Sequence, residues 1–256
     1  MSLIHRSLLA WMLAASAATA VIAQTDPSVD QVVDKHLAAM GGADKLKAIQ
    51  SMRMTGTAVI GGGQMEAPMT LQVKRPGKSR LDMPVQGRTF VQAFDGESGW
   101  SINPFTGSTE PQRMGEDETR AARDSSDLEG AMVDYKAKGH TIELLGKEDV
   151  DGTPAYKLKM TKKSGAVETH FLDAETYLGL KTIVKRKIQG NEMEIEIVPS
   201  KFKPVNGVMM PHVLDQKLGG RSVMQMTAAN IEANVPINDA IFVMPKKEDP
   251  KAQEKK

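Results

Sequence analysis

Few residues in this 256-residue chain could carry out acid–base, metal or nucleophilic chemistry. The run Gly96-Glu97-Ser98-Gly99 has the wrong glycine spacing for a nucleophile elbow. Asp95 and Glu97 could form a carboxylate pair, but Asp95-Gly96 is more typical of a tight turn that leads into Trp100. The histidines beyond the N-terminal stretch are not at metal-ligand spacing, and the chain has no cysteine to join them. We therefore predict a protein that is not an enzyme and has no metal and no cofactor. These histidines are His36, His140, His170 and His212.

Methionine is the unusual residue type, with 17 copies against 2 tryptophans, 3 tyrosines and 6 phenylalanines. Any single methionine is best explained as core filling. Together, however, flexible thioethers indicate an apolar surface that adapts to variable guests. The methionines in strand patterns are Met52, Met54, Met65, Met69, Met83, Met160, Met193, Met224 and Met226.

The segments that must position these side chains are mostly strands. Residues 51–60 and 65–74 alternate strictly between apolar and polar types, and shorter runs around 81–83, 89–95 and 100–102 continue the pattern. The pattern resumes in 141–145, 155–161, 167–173, 180–188, 192–198, 202–218 and 223–234, and 238–245 closes the fold with Ile241 and Phe242. Helical spacing predicts helices at 27–40 and 43–50 and two short pieces within 114–135. The fold class predicted is mainly β with a few short helices (α+β), in which roughly ten or eleven antiparallel strands form a sheet that must curl.

One hairpin is specific enough to predict a register. With Gly190-Asn191 at its tip, a two-residue loop places Lys187 opposite Glu194 and Lys185 opposite Glu196. Such pairs have a structural role, because each contributes only about 0.2–1 kcal/mol.

The two ends of the chain are predicted to lie outside the fold. Residues 1–23 resemble a cleavable signal peptide, with Ala18-Thr19-Ala20 as a second possible cleavage site and a membrane anchor as the alternative. Residues 246–256 form a charged tail that should be disordered. Residues 24–245 then form a single exported domain, without disulfides or a lipid-modified N-terminus, because cysteine is absent.

The charge balance excludes some partners. The net charge is +1, and removal of the leader takes away one arginine, Arg6, so that acidic and basic residues become equal in number. This balance gives no electrostatic reason to expect binding to nucleic acid or to an anionic membrane surface. No further segment is apolar enough to span a membrane.

An ordered set of short motifs resembles the periplasmic outer-membrane lipoprotein carriers, the LolA/LolB-like family. Residues 71–76 (LQVKRP) are followed by 95–100 (DGESGW) and 103–105 (NPF), and residues 238–245 (NDAIFVMP) resemble the end of the family. Residues 203–211 (KPVNGVMMP) resemble a turn and strand of its broader relatives, whereas Lys78-Ser79-Arg80 stands where the carrier has a phenylalanine.

The resemblance implies an open half-barrel whose helices cover a concave apolar face and act as a lid. It also implies a monomeric periplasmic protein that takes lipoprotein acyl chains or a related lipid from an inner-membrane partner to an outer-membrane partner. Arg75 falls on the arginine that ties the lid to the barrel in that family.

From the apolar alternation we predict a set of side chains that contact the cargo, and we expect Met69→Glu to abolish lipid binding without disturbing the fold. Two other hypotheses are a non-enzymatic envelope regulator or scaffold that binds a protein partner, and a structural domain with a filled barrel. The predicted cargo-binding residues are Met54, Met69, Leu71, Met83, Phe94, Trp100 and Ile102.

Overall fold

The computed structural model describes residues 26–106, 109–188 and 191–246. These residues form one antiparallel sheet of thirteen strands, in the order β6-β5-β4-β3-β2-β1-β13-β12-β11-β10-β9-β8-β7. The first and last strands pair at the centre, so each half of the chain builds one arm of the sheet. Among the described strands, β6 and β7 each pair with one neighbour only, so the curved sheet stays open. The predicted fold class is confirmed.

The strands in chain order are β1 (Ser51–Ile60), β2 (Met65–Lys74), β3 (Lys78–Val85), β4 (Arg88–Phe94), β5 (Gly99–Ile102), β6 (Gln112–Arg113), β7 (Thr141–Val150), β8 (Thr153–Thr161), β9 (Val167–Asp173), β10 (Gly179–Ile188), β11 (Asn191–Val205), β12 (Val208–Leu218) and β13 (Arg221–Ala233). The helices are α1 (Val29–Ala39), α2 (Ala43–Ala48) and α3 (Glu116–Ser125), with single 3-10 turns at Pro104–Thr106 and Asp239–Ile241.

The strands differ from the prediction at two places: the short strand β6 has no counterpart in it, and a turn at residues 206–207 divides one predicted strand. The segment 202–218, predicted as one strand, is the end of β11 and the whole of β12. Asn206 and Gly207 lie between them with φ angles of 49° and 76°, the conformation of a tight hairpin turn. β11 also continues without a break beyond residue 198, where the prediction ended it.

The first two helices begin and end as the sequence indicates. Ser28 and Gln31 form a reciprocal capping box at the start of α1. Gly41 stands at its end with φ 109°, and a Cβ there would lie 2.2 Å from the Gly207 carbonyl oxygen. The Met209 amide also donates to the Met40 carbonyl, so the junction of α1 and α2 rests on the β11–β12 turn.

The second helix predicted within 114–135 does not form. After α3 the chain makes a series of turns, since Gly130 and Asp134 have φ angles of 83° and 50° and break any helix. The apolar residues nevertheless point inward as predicted: Met132 is buried, and Leu128 and Tyr135 are packed against the core.

The predicted register of the β10–β11 hairpin is wrong by two residues. Lys185 pairs with Glu194, and Lys187 pairs with Glu192. A shift of two keeps each side chain on the predicted face, and the Lys185 ammonium lies 3.1 Å from the Glu192 carboxylate. Gly190, half of the predicted tip, lies outside the described residues, as do the predicted signal peptide and residues 247–256 of the tail.

The register gives each side chain one of two faces, which we call inner and outer. Val32 and Val33 of α1 pack on Leu158 and Met160 of β8, and these define the inner face. α2 packs on the same face through Leu46 and Ile49, which contact Val208 of β12. Within the described ranges, no helix combines the length and apolarity that crossing a membrane requires.

Candidate functional site

The inner face of the central strands carries a continuous apolar cluster, which we call the methionine patch. Its buried members are Met54, Ala58, Met69, Met83, Ala228 and Ile231. Its half-buried members are Met52, Ile60, Leu71, Leu81, Phe90, Val205, Met210, Met224 and Met226. The patch is therefore a buried base of six residues under a layer of flexible side chains that water still reaches.

The pairing of β1 with its two neighbours builds this patch. Met54 lies between Leu71 of β2 and Ile231 of β13, and Ala58 lies opposite Met226. Gly56 lies between them at a bulge, where a Cβ would come within 2.0 Å of the Thr227 carbonyl oxygen. Small residues at the centre let the strands approach closely, and the long thioethers then fill the space above them.

Four of the predicted cargo-binding residues come together as expected. Met54, Met69 and Met83 form the base of the patch, and Leu71 lies in its half-buried layer. Phe94 is on the same face but further along, with the guanidinium of Arg123 5.7 Å from its ring centroid. That these side chains contact cargo stays a prediction.

Trp100 and Ile102 lie on the outer face, so the prediction that all seven side chains share one face is wrong. Trp100 pairs with Ala93, and Ile102 pairs with Val91, whose side chains point away from the Phe94 side. The cause is the four-residue turn 95–98, since a hairpin loop with an even number of residues pairs even-numbered positions with odd-numbered ones.

Trp100 belongs to a structural cluster on that outer face. Its indole Nε1 donates to the Phe242 carbonyl at 2.7 Å, and the Arg80 guanidinium stands 5.6 Å from its ring and donates to the Ile241 carbonyl. Phe242 is fully buried, so 238–245 closes the fold as predicted. We call residues 235–244 the C-terminal strap.

The strap is fastened to the sheet by charge as well. Asp239 lies 2.5 Å from the Lys74 ammonium and 2.7 Å from the Lys78 ammonium. Hydrogen bonds from these two lysines lower the pKa of Asp239 to about 2.

The sequence-based choice of site residues missed eleven of the fifteen residues of the patch. Met210 and Met224, together with Met226 and Phe90, belong to it, but none was among the predicted contacts. The signal was present in 223–234, where Met224 and Met226 alternate with polar residues. However, the pattern of alternation within one strand does not show which strand lies beside it, so the pairing of β13 with β1 could not be predicted.

Arg75 joins the sheet to the segments that cover the inner face. Its Nε donates to the Ile49 carbonyl at 2.7 Å, and its Nη2 lies 3.4 Å from the Leu46 carbonyl at the end of α2. The same Nη2 lies 2.8 Å from the Glu129 carboxylate, which also pairs with Lys138. Arg75 thus binds both α2 and the turns that follow α3.

A second polar group ties α3 to the other arm of the sheet. The Lys162 ammonium, with 8% of its side chain exposed, lies 2.6 Å from Glu168 and 3.4 Å from Asp124 of α3. His170 Nε2 is 3.2 Å from the Glu168 carboxylate. Burial alone would raise the pKa of Glu168, but His170 and Lys162 outweigh it and lower that pKa to about 2.

We expect Glu168→Gln to lower the free energy of unfolding by about 3 kcal/mol at pH 7, because it leaves the Lys162 charge without its closest partner. A carboxylate with a depressed pKa stabilises the fold above its unfolded pKa and loses that effect as the pH falls through its folded pKa. The difference between wild type and variant should therefore shrink between about pH 5 and pH 2.

Urea unfolding at a series of pH values measures this effect. The matched control is Glu143→Gln, since the Glu143–Lys159 pair is exposed and should contribute less than about 1 kcal/mol. A Glu168→Gln difference that stays constant down to pH 2 would show that the pair is not the cause.

The remaining described residues that the sequence analysis singled out make separate, local contacts. Asp95 accepts the Glu97 and Ser98 amides, which confirms the predicted turn. His36 bonds to the Tyr177 carbonyl and His212 to the Met210 carbonyl, in different parts of the sheet. In the part of the chain that the structure describes, no group of three or more acidic or histidine side chains is arranged to hold a metal ion.

Comparison with known proteins gives a fold and no close relative. No protein-family model matches the sequence, and no curated protein matches it either. Among solved structures, a DUF1329 family protein from Desulfovibrio piger ATCC 29098 matches with a TM-score of 0.58 at 17% identity, over 86% of this chain and 98% of that one.

Two further structures link this fold to the predicted resemblance. A LolA superfamily protein from Nitrosomonas europaea matches with a TM-score of 0.55 at 14% identity, over 85% of this chain and 98% of that one. A domain described as an outer membrane lipoprotein-sorting protein from Vibrio parahaemolyticus matches with a TM-score of 0.54 at 11% identity, over 83% and 94%. The chain shares its fold with these three structures, and the resemblance read from its motifs is confirmed at the level of the fold.

Proposed function

We propose that this protein is a non-enzymatic periplasmic carrier that binds the acyl chains of a lipoprotein or a related lipid. The observation that supports the proposal best is the methionine patch, in which nine half-buried apolar side chains line the inner face of the central strands. When many apolar side chains on one face of a monomer are partly exposed to water, covering them with an apolar ligand is favourable in free energy.

The energetics of acyl chains favour a surface of this type. Each methylene moved out of water contributes about 0.8 kcal/mol, so a chain of about fifteen methylenes cannot cross water unaided. A carrier must also release its cargo. Thioether side chains adapt to different chains without a fixed complementary shape, which suits reversible binding.

We propose that α2, α3 and the turns after α3 form the movable cover of this surface. Two ion pairs, Arg75 with Glu129 and Lys162 with Asp124, hold them to the sheet beside the apolar packing of α2 and of the turns. α3 itself has no buried residue. The Arg75–Glu129 pair must separate before this cover can open, so Arg75 would act as its latch.

The route of such a carrier follows from its cargo. The predicted signal peptide would export the protein to the periplasm. An inner-membrane partner would load the cargo and an outer-membrane partner would receive it. The balanced charge of the chain supports recognition of the acyl chains rather than of an anionic membrane surface.

Native mass spectrometry of the mature protein, purified from periplasm without detergent, tests the proposal. We expect extra mass that extracts as lipid or acylated peptide. A clean mass for the protein alone, followed by no uptake of a fluorescent monoacylglycerol, would exclude the carrier. A stoichiometric protein partner in the same spectra would favour the regulator hypothesis instead.

A further inference from the structure

A cavity of about 290 Å³ lies where α3 ends above the sheet. Phe94 and the turn Pro76-Gly77 form its wall on the sheet side, and Leu128 forms part of the opposite wall. Its volume is near the lower end of the range of about 300–1,000 Å³ that proteins use for small ligands. The cavity is large enough for a headgroup and too small for a whole lipid.

Two arginines line this cavity, and only one of them is neutralised. Arg75 has Glu129 as its partner, at 2.8 Å. The nearby Asp127 carboxylate also lines the cavity and is paired with Lys138 at 2.8 Å. Among the described residues, the Arg123 guanidinium has no carboxylate partner, and it makes one long contact of 3.5 Å with the Glu97 carbonyl.

Arg123 is also held in place. Its guanidinium lies 5.7 Å from the centroid of the Phe94 ring, and Phe94 is on the inner face, as is Met83 of the methionine patch. A cation stacked on an aromatic wall keeps its hydrogen-bond donors free for a ligand. The result is a cationic group at one end of the inner face, beside apolar side chains.

We propose that this cavity binds the anionic headgroup, phosphate or carboxylate, of an amphiphile whose acyl chain lies on the methionine patch. The assignment rests on the proposed carrier function for the chain, whereas the anion site is argued from Arg123, Arg75 and the cavity itself. An anion would complete the charge balance of the cavity through hydrogen bonds assisted by charge.

The test compares two probes with the same acyl chain, lysophosphatidylglycerol and monoacylglycerol, on wild type and Arg123→Gln. We expect wild type to bind the anionic probe about five- to tenfold more tightly, and Arg123→Gln to abolish that preference while its affinity for the neutral probe is unchanged. The matched control is Arg120→Gln on the same helix, because Arg120 is paired with Asp117 and does not line the cavity.

Each other outcome has one meaning. Equal binding of both probes, or a preference that survives Arg123→Gln, overturns the headgroup site and leaves the carrier function standing. Binding of neither probe overturns the carrier function and this assignment with it. Inorganic phosphate that binds wild type as tightly as the anionic probe does, in an Arg123-dependent way, would identify a site for free phosphate and overturn the headgroup assignment.

Discussion

A glutamate in place of Met226 is expected to weaken the binding of a fluorescent monoacylglycerol by about 100-fold or more. Met226 lies in the half-buried layer of the methionine patch, opposite Ala58 of β1. If the acyl chain binds over this position, the carboxylate loses its hydration; if the carboxylate stays hydrated, the chain loses contact with the patch. Either effect makes the binding free energy less favourable by roughly 3 kcal/mol. Fluorescence titration of the purified variant measures the loss.

The control for this variant is its neighbour on the same strand. Thr227 is next in the sequence, so its side chain is on the outer face, and Thr227→Glu adds the same charge without touching the patch. We expect Thr227→Glu to bind the probe within about twofold of wild type. If both variants lost affinity for the probe to a similar extent, the added charge would be the cause of the loss, and the patch would not be the binding surface.

Met69, the position that the sequence suggested for this experiment, is unsuitable. Only 2% of Met69 is exposed, and it lies in the base of the patch. A glutamate there would bury a charge without a partner, which costs several kcal/mol and threatens the fold itself. Loss of binding by Met69→Glu would therefore not distinguish an unfolded protein from a carrier with a blocked surface.

The sequence was sufficient for the fold class because each strand carries its own signal. Alternation in 51–60 and 65–74 places Met54, Met69 and Leu71 on one side, and the four-residue turn between β1 and β2 keeps both apolar sides together. The helix starts and the Asp95 turn are equally local, since capping and turn residues act within a few positions.

What the sequence did not give depends on pairings between distant strands and on exact loop lengths. Alternation does not tell that β13 lies beside β1, so Met224 and Met226 were not joined to Met54. The side of Trp100 depends on whether the turn after Phe94 holds an even or an odd number of residues. The contacts of the cover could not be predicted for the same reason, because the ion pairs of Arg75 and Lys162 join residues that are far apart in the chain.

The placement of Trp100 leads to the second large effect. Trp100→Ala should lower the free energy of unfolding by about 3–5 kcal/mol, because it leaves a cavity under the C-terminal strap and removes the partner of the Phe242 carbonyl. Trp100→Phe keeps most of the volume and loses chiefly the hydrogen bond, so it should cost about 1–2 kcal/mol. Urea unfolding of both variants measures the difference.

Binding decides whether Trp100 is part of the scaffold or part of the site. Folded Trp100→Phe should bind the fluorescent monoacylglycerol as wild type does, since the indole faces the strap and not the methionine patch. The strap supplies an internal check, because Phe242→Ala removes a buried ring of the strap and keeps the backbone carbonyl that accepts the indole hydrogen bond. A tenfold weaker affinity in folded Trp100→Phe would show that Trp100 contacts the cargo, as the sequence analysis predicted. Unchanged affinity together with a large loss of stability would mean that the outer face holds the sheet in the shape that the inner face uses.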